Sequence, residues 1–102
     1  MAKCYVYFIQ SDQSKSKKPV KIGMANDPQK RLEELQTGNP YELSVIATIE
    51  FKTRRDASLA ESHLHRRLSR MRMRGEWFFA RHGKLFKEVN KALQSKDVNF
   101  ES

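Results

Sequence analysis

The segment KCYVYFIQ, residues 3–10, is apolar on both sides when laid out as a strand: Cys4, Val6 and Phe8 point one way, and Tyr5, Tyr7 and Ile9 the other. Such a strand loses contact with water on both faces only if other layers cover it twice, and this restricts the chain to a sheet with helices packed on it. A polar stretch, residues 11–18, leads into PVKIGM. Here Val20, Ile22 and Met24 share one face and Lys21 and Gly23 the other, which predicts a second strand and an antiparallel hairpin.

Helix punctuation follows. Asp27 is placed to cap, Pro28 occupies a first helical position, and Gly38 and Pro40 end the segment, with Leu32 and Leu35 inward and Arg31 just off that apolar line. The run LSVIATIEF puts Leu43, Val45, Ala47, Ile49 and Phe51 on one face of a third strand. From Arg55 to Met71 the helical period runs through Ala57, Ala60, Leu64, Leu68 and Met71, and Gly75 breaks it. Trp77 and Phe78 are expected to close the core. A third helix is predicted over Lys84–Leu93 through Leu85, Val89, Ala92 and Leu93. The order β-β-α-β-α-α predicts an α+β fold with a small three-stranded antiparallel sheet flanked by helices. Residues 1–95 read as a single domain and residues 96–102 as a loose C-terminal tail.

Charge narrows the partners. Twenty Lys and Arg against 12 Asp and Glu give a net charge of +8, which suits a polyanionic partner, nucleic acid first, and equally a basic surface kept solvated for solubility. No segment has the roughly 20 apolar residues of a membrane span. The single cysteine, Cys4, forms no intramolecular disulfide and suits a buried thiol in a reducing cytoplasm. His63 and His65 are two apart and point to different sides of a helix, which argues against a structural zinc site, and His63 and His82 read as surface residues. Four scattered glycines make no phosphate loop. On the basic helix, Arg66, Arg67, Arg70 and Arg74 form either a phosphate track or a solvated face. Glu61 is the unexplained member: a lone carboxylate beside that basic stripe, four residues before His65 and sharing its face.

Set in order, YVYFI, VKIGMANDPQKRL, AESHLHRRL and GEWF resemble the GIY-YIG nuclease superfamily, in particular its small phage-type branch. Tyr5-Val6-Tyr7 stands where that family writes Gly-Ile-Tyr, and Lys21-Ile22-Gly23 where it writes Tyr-Ile-Gly. The distance from Gly23 to Arg31 and the Arg-Leu pair also match. The resemblance implies a metal-dependent endonuclease acting on DNA, with RNA as a weaker third reading because phosphate contacts carry no sugar identity. Glu61 would hold a single Mg²⁺ or Mn²⁺, Arg31 would clamp a phosphate, and Tyr7 would act as general base or orient the attacking water. Lys21 replaces the second motif tyrosine and would lower the Tyr7 pKa. Tyr5 and His65 are possible supporting residues. The bland readings are core aromatics for the tyrosines, an ordinary Arg31 pair with Glu34 or Asp27, and Glu61 paired with His65 or an arginine. A non-catalytic nucleic-acid-binding domain of the same fold is the alternative function, kept open by Lys21.

Overall fold

The computed structural model describes residues 3–94. Its elements are β1 (Cys4–Asp12), β2 (Val20–Ala25), α1 (Pro28–Gln36), β3 (Glu42–Phe51), α2 (Arg54–Arg67), a 3-10 turn (Ser69–Met71), β4 (Arg72–Arg74), β5 (Trp77–Phe78) and α3 (His82–Leu93). The α+β class stands, but the antiparallel sheet has five strands in the order β3-β1-β2-β5-β4 rather than three. The two extra strands come from MRMRGEWFF, where Gly75 does not merely break a helix. It takes φ +57° as the first residue of a two-residue turn, so that Arg74 faces Trp77 across a hairpin. Positive φ at that position gives hairpin turns the hand that matches strand twist, and glycine reaches it without strain. The preceding helix ends at Arg67, four residues before its expected end, and α3 begins two residues earlier than its periodicity predicts. The expected tail, residues 96–102, lies outside the described residues, as does residue 95, which closes the predicted domain.

β1 is buried on both faces as its pattern requires. On one side Cys4, Val6 and Phe8 join Val20, Ile22, Phe78 and the apolar stripes of α2 and α3 in the main core. On the other, Tyr7 and Ile9 meet Leu43, with Leu32 and Leu35 of α1 and Trp77 packed against them. Trp77 is thus half-buried, whereas Phe78 is fully buried as expected.

The third strand departs from its predicted single apolar face. Phe8 pairs with Ala47 but Ile9 pairs with Val45, so Ile46 is an extra residue, a β-bulge. A bulge shifts the side-chain phase by one. Leu43 and Val45 therefore turn to the α1 side, while Ala47, Ile49 and Phe51 face α2 and α3. His63 is not a surface residue: it is buried, and its Nε2 lies 2.9 Å from the Ala92 carbonyl, which ties α2 to the last turn of α3. His82 is half-buried, its ring edge-on to Phe86. For His63 the covering helix α3 overrides the polar reading of the local sequence, and for His82 the next turn of its own helix does so in part. No helix among the described residues is long and apolar enough to cross a membrane.

Candidate metal and nucleic-acid site at the outer edge of the second strand

β5 pairs with β2 only at Val20 and Lys21, so beyond that point the outer edge of β2 is open to other partners. Ile22 presents both of its outward peptide groups there. Its N–H donates to the Glu76 carbonyl at 3.0 Å, and its carbonyl lies 2.8 Å from His65 Nε2. A carbonyl only accepts, so Nε2 carries the proton and, in the neutral ring, Nδ1 is left with a free lone pair. The His65 ring is held further by an edge-on contact with Phe78, centroids 5.0 Å apart. One turn earlier on α2 stands Glu61. The two-residue turn between β4 and β5 delivers Glu76 from the opposite direction.

Ligand atoms of Glu61, His65 and Glu76 all lie within 4.8 Å of one another, and all three side chains are half-buried. Donors around one small divalent ion stand about 3 Å apart when adjacent and about 4.2 Å when opposite, given bond lengths near 2.1 Å. Two carboxylate oxygens and an imidazole nitrogen, drawn together by modest side-chain rotations, therefore fit such a cation with coordination positions to spare. The nitrogen ligand and oxygens together suit Mn²⁺ at least as well as Mg²⁺.

Lys21 occupies a different place from the one the motif suggested. Its Nζ lies 3.0 Å from Glu76 Oε1, with the Trp77 ring centroid at 5.8 Å, and the side chain is largely covered. It does not set the Tyr7 hydroxyl. The Tyr7 pKa is raised, first by burial and then by the negative charges of Glu76 and Glu61, while the Arg31 guanidinium within hydrogen-bonding reach pulls the other way. The expected Lys21 effect on Tyr7 is thus replaced by a Lys21 effect on the carboxylates: with His65, it offsets part of the rise in the Glu61 pKa that burial and Glu76 cause. The Arg31 proton is held more firmly by Tyr7 and Glu34 together. Arg31 is exposed and also pairs with Glu34 at 3.2 Å, leaving the guanidinium at the mouth of the site.

Gly23 makes this crossing possible. Register puts it opposite Tyr7, and the phenol lies directly over it: a Cβ built there would stand 2.4 Å from the Tyr7 oxygen and 3.1 Å from Glu76 Oε1. The missing side chain is the slot in which the Tyr7 hydroxyl approaches the acidic cluster. Tyr5 lies on the same face but turns outward, its hydroxyl donating to Glu50 at 3.3 Å.

The structure thus brings together Tyr7, Lys21, Arg31, Glu61 and His65 and leaves Tyr5 aside. The arginines divide. Arg67 and Arg70 line a groove between the end of α2 and the start of α3, and Arg74 lines a cleft beside Trp77. Arg66 is exposed on α2. Sequence reasoning missed Glu76. Its signal was the one that singled out Glu61, since Glu76 is the sole acid between Glu61 and Glu88 in an otherwise basic stretch.

Fold and site together define a small α+β domain with an acidic, histidine-bearing pocket set in a basic surface. The sequence profile of the T5orf172 domain matches residues 4–95, and the chain belongs to that family. The family is phage-associated and related to nuclease-like folds. Neither a curated protein nor a solved structure gives a significant match.

Proposed function

We propose that this domain is a divalent-metal-dependent endonuclease of the GIY-YIG type that hydrolyses DNA phosphodiester bonds. The observation that carries the reading is the convergence of Glu61, His65 and Glu76 beside the Tyr7 hydroxyl and the Arg31 guanidinium. Glu61, Glu76 and the Nδ1 side of His65 would hold the cation. Bound there, Mg²⁺ or Mn²⁺ would supply Lewis-acid stabilisation of the charge that develops on the phosphate oxygens.

The chain's own residues divide the remaining work. Arg31, at the mouth, binds and orients the phosphate through its planar fork. Tyr7 holds its proton at neutral pH in the metal-free site, because its pKa is raised, and so offers a donor and an acceptor that align an attacking water. Burial is the main cause of that rise and the carboxylates add to it; a cation held by those carboxylates would remove their share and make Tyr7 easier to deprotonate. Lys21 holds Glu76 in place and keeps the two acids together before metal arrives. It is a positioning residue, in a place where the superfamily resemblance calls for a tyrosine.

A second reading rests on that same substitution: a domain of this fold that binds nucleic acid without cutting it. Nicking of supercoiled plasmid with Mg²⁺, Mn²⁺ or excess chelator separates the two. We expect metal-dependent nicking that falls on the order of 10³-fold in Glu61→Ala and 10²-fold in Arg31→Ala. A wild-type protein that binds DNA but leaves every substrate intact in both metals would establish the binding reading instead.

A further inference from the structure

One surface groove lies away from the carboxylates. It holds 680 Å³ between the end of α2, the 3-10 turn and the start of α3, and Arg67, Arg70, Arg81 and Lys84 line it with a single acid, Glu88. A second cavity of 390 Å³ lies on the far side of residues 79–81, lined by Lys15, Lys18 and Arg81. Phe79 belongs to both and is 42% exposed, one of the few large apolar side chains that the fold leaves in water. An aromatic ring standing between two cationic hollows has no packing role to explain its exposure. It matches the arrangement by which unpaired nucleic acid is held, with phosphates tracked by cations and a base stacked on a ring.

The location matters as much as the composition. Phe79 follows Glu76 by three residues, so at most about 11 Å of backbone separates the ring's residue from a carboxylate of the candidate metal site. That is about three base steps at 3.4 Å each. Phe78, between them, is the core residue on which His65 rests, which anchors this short span at both ends.

We propose that Phe79 and its flanking cations bind an unpaired strand, so that the substrate class is DNA with a single-stranded segment within a few nucleotides of the cut, as at a flap, gap or branch. The proposal rests on the nuclease reading for its cut but not for its binding. The Phe79 ring stacks on an exposed base. Arg67, Arg70, Arg81 and Lys84 follow the phosphates on one side, and Lys15 and Lys18 on the other. A closed duplex offers no free base face, and therefore only the phosphate contacts remain.

The test is equilibrium binding of the intact protein in excess chelator, so that metal and turnover play no part. The probes are a labelled single-stranded 20-mer, the duplex of the same sequence, and phosphatidylserine vesicles, with wild type, Phe79→Ala, Arg81→Ala/Lys84→Ala and Glu61→Ala. We expect the single strand to bind at least 10-fold more tightly than the duplex. Phe79→Ala should weaken the single strand about 5- to 100-fold with its salt dependence unchanged, whereas Arg81→Ala/Lys84→Ala should flatten the salt dependence. Glu61→Ala, which removes a negative charge near the strand's path, should bind no more weakly than wild type. Equal affinity for single strand and duplex, or an unaffected Phe79→Ala, overturns the proposal. So does Phe79-dependent binding confined to vesicles, which would make the surface a membrane contact. Failure here leaves plasmid nicking untouched, and failure of nicking leaves this binding untouched.

Discussion

The half of the site built by β1, β2 and α1 and the half built by α2 and the β4–β5 turn are held by different forces. In the first, backbone register does the placing: Tyr7 lies over Gly23 because the two strands pair there, and Arg31 follows from a helix capped by the Asp27 side chain. In the second, side-chain electrostatics does it. Two carboxylates approach within one cluster, opposed by their own repulsion and held by Lys21, by His65 and by the peptide groups of Ile22. The first half is rigid before any ligand arrives. The second is an arrangement in which two neighbouring carboxylates share a single lysine, and under the proposed function a cation would supply the charge they still lack. Sites that must bind a metal and then a phosphate need both, a fixed scaffold and an unsatisfied charge.

Gly23→Ala is the strongest way to break the contrast, because its damage falls mainly on the register-built half: the added Cβ collides with the Tyr7 ring and only crowds Glu76 Oε1, at 3.1 Å. A Cβ 2.4 Å from the Tyr7 oxygen forces the phenol out of its slot. Overpacking of this kind costs about 1–3 kcal/mol, or a fall in Tm of roughly 5–20 °C for a domain of this size. Nicking should drop about 10²-fold or more while Mn²⁺ affinity, read by calorimetry, stays within about threefold. A parallel loss of metal binding would show that the two halves are one cooperative unit.

Glu76→Gln acts on the other half. It removes a ligand and the Lys21 partner together, and we expect Mn²⁺ to bind about 10- to 100-fold more weakly with the Tm nearly unchanged. An unaltered Mn²⁺ affinity would remove Glu76 from the ligand set.

The smallest effect is in pH. Burial and the charge of Glu76 raise the Glu61 pKa, so the folded state binds this proton more tightly than the unfolded chain does. That contribution to stability is complete below the ordinary glutamate pKa of about 4.3 and is lost as pH climbs through the raised value. Glu61→Gln cannot ionise and escapes the loss. In chelator its Tm should equal that of wild type near pH 4 and exceed it by about 2–5 °C at pH 7 to 8. Saturating Mn²⁺ should reverse the order at pH 7 to 8, because only wild type gains the ligand's stabilisation.

The rigid half was the legible half. Alternation and capping residues are local signals that placed β1, β2 and α1, and the resemblance to the GIY-YIG superfamily singled out Tyr7, Lys21 and Arg31 on them. Glu61 was found by its oddity within a basic helix. Glu76 was not, because its role depends on a hairpin of only two turn residues that sets it against β2, and strands of three and two residues are too short to show a period. The same limit hid β4 and β5 from the strand count. Lys21 was expected to act on Tyr7 and lies against Glu76 instead, since sequence order cannot reveal that the β4–β5 turn brings that carboxylate within 3.0 Å of it. His63 looked polar and external because nothing in α2 itself announces that α3 will close over it.

The bulge at Ile46 has a consequence beyond the two cores it serves. β3 is the outermost strand on its side of the sheet, ten residues long, and no described strand pairs with its outer rim. A continuous rim of that length invites a second chain to dock and extend the ladder, the first step toward fibrous aggregation. The extra residue splits the rim into two short runs that are out of step, so a straight incoming strand in register with residues 42–45 is out of register with residues 47–51. The irregularity that lets one strand face both layers also makes it a poor template, which helps keep a small basic protein dispersed among its own copies.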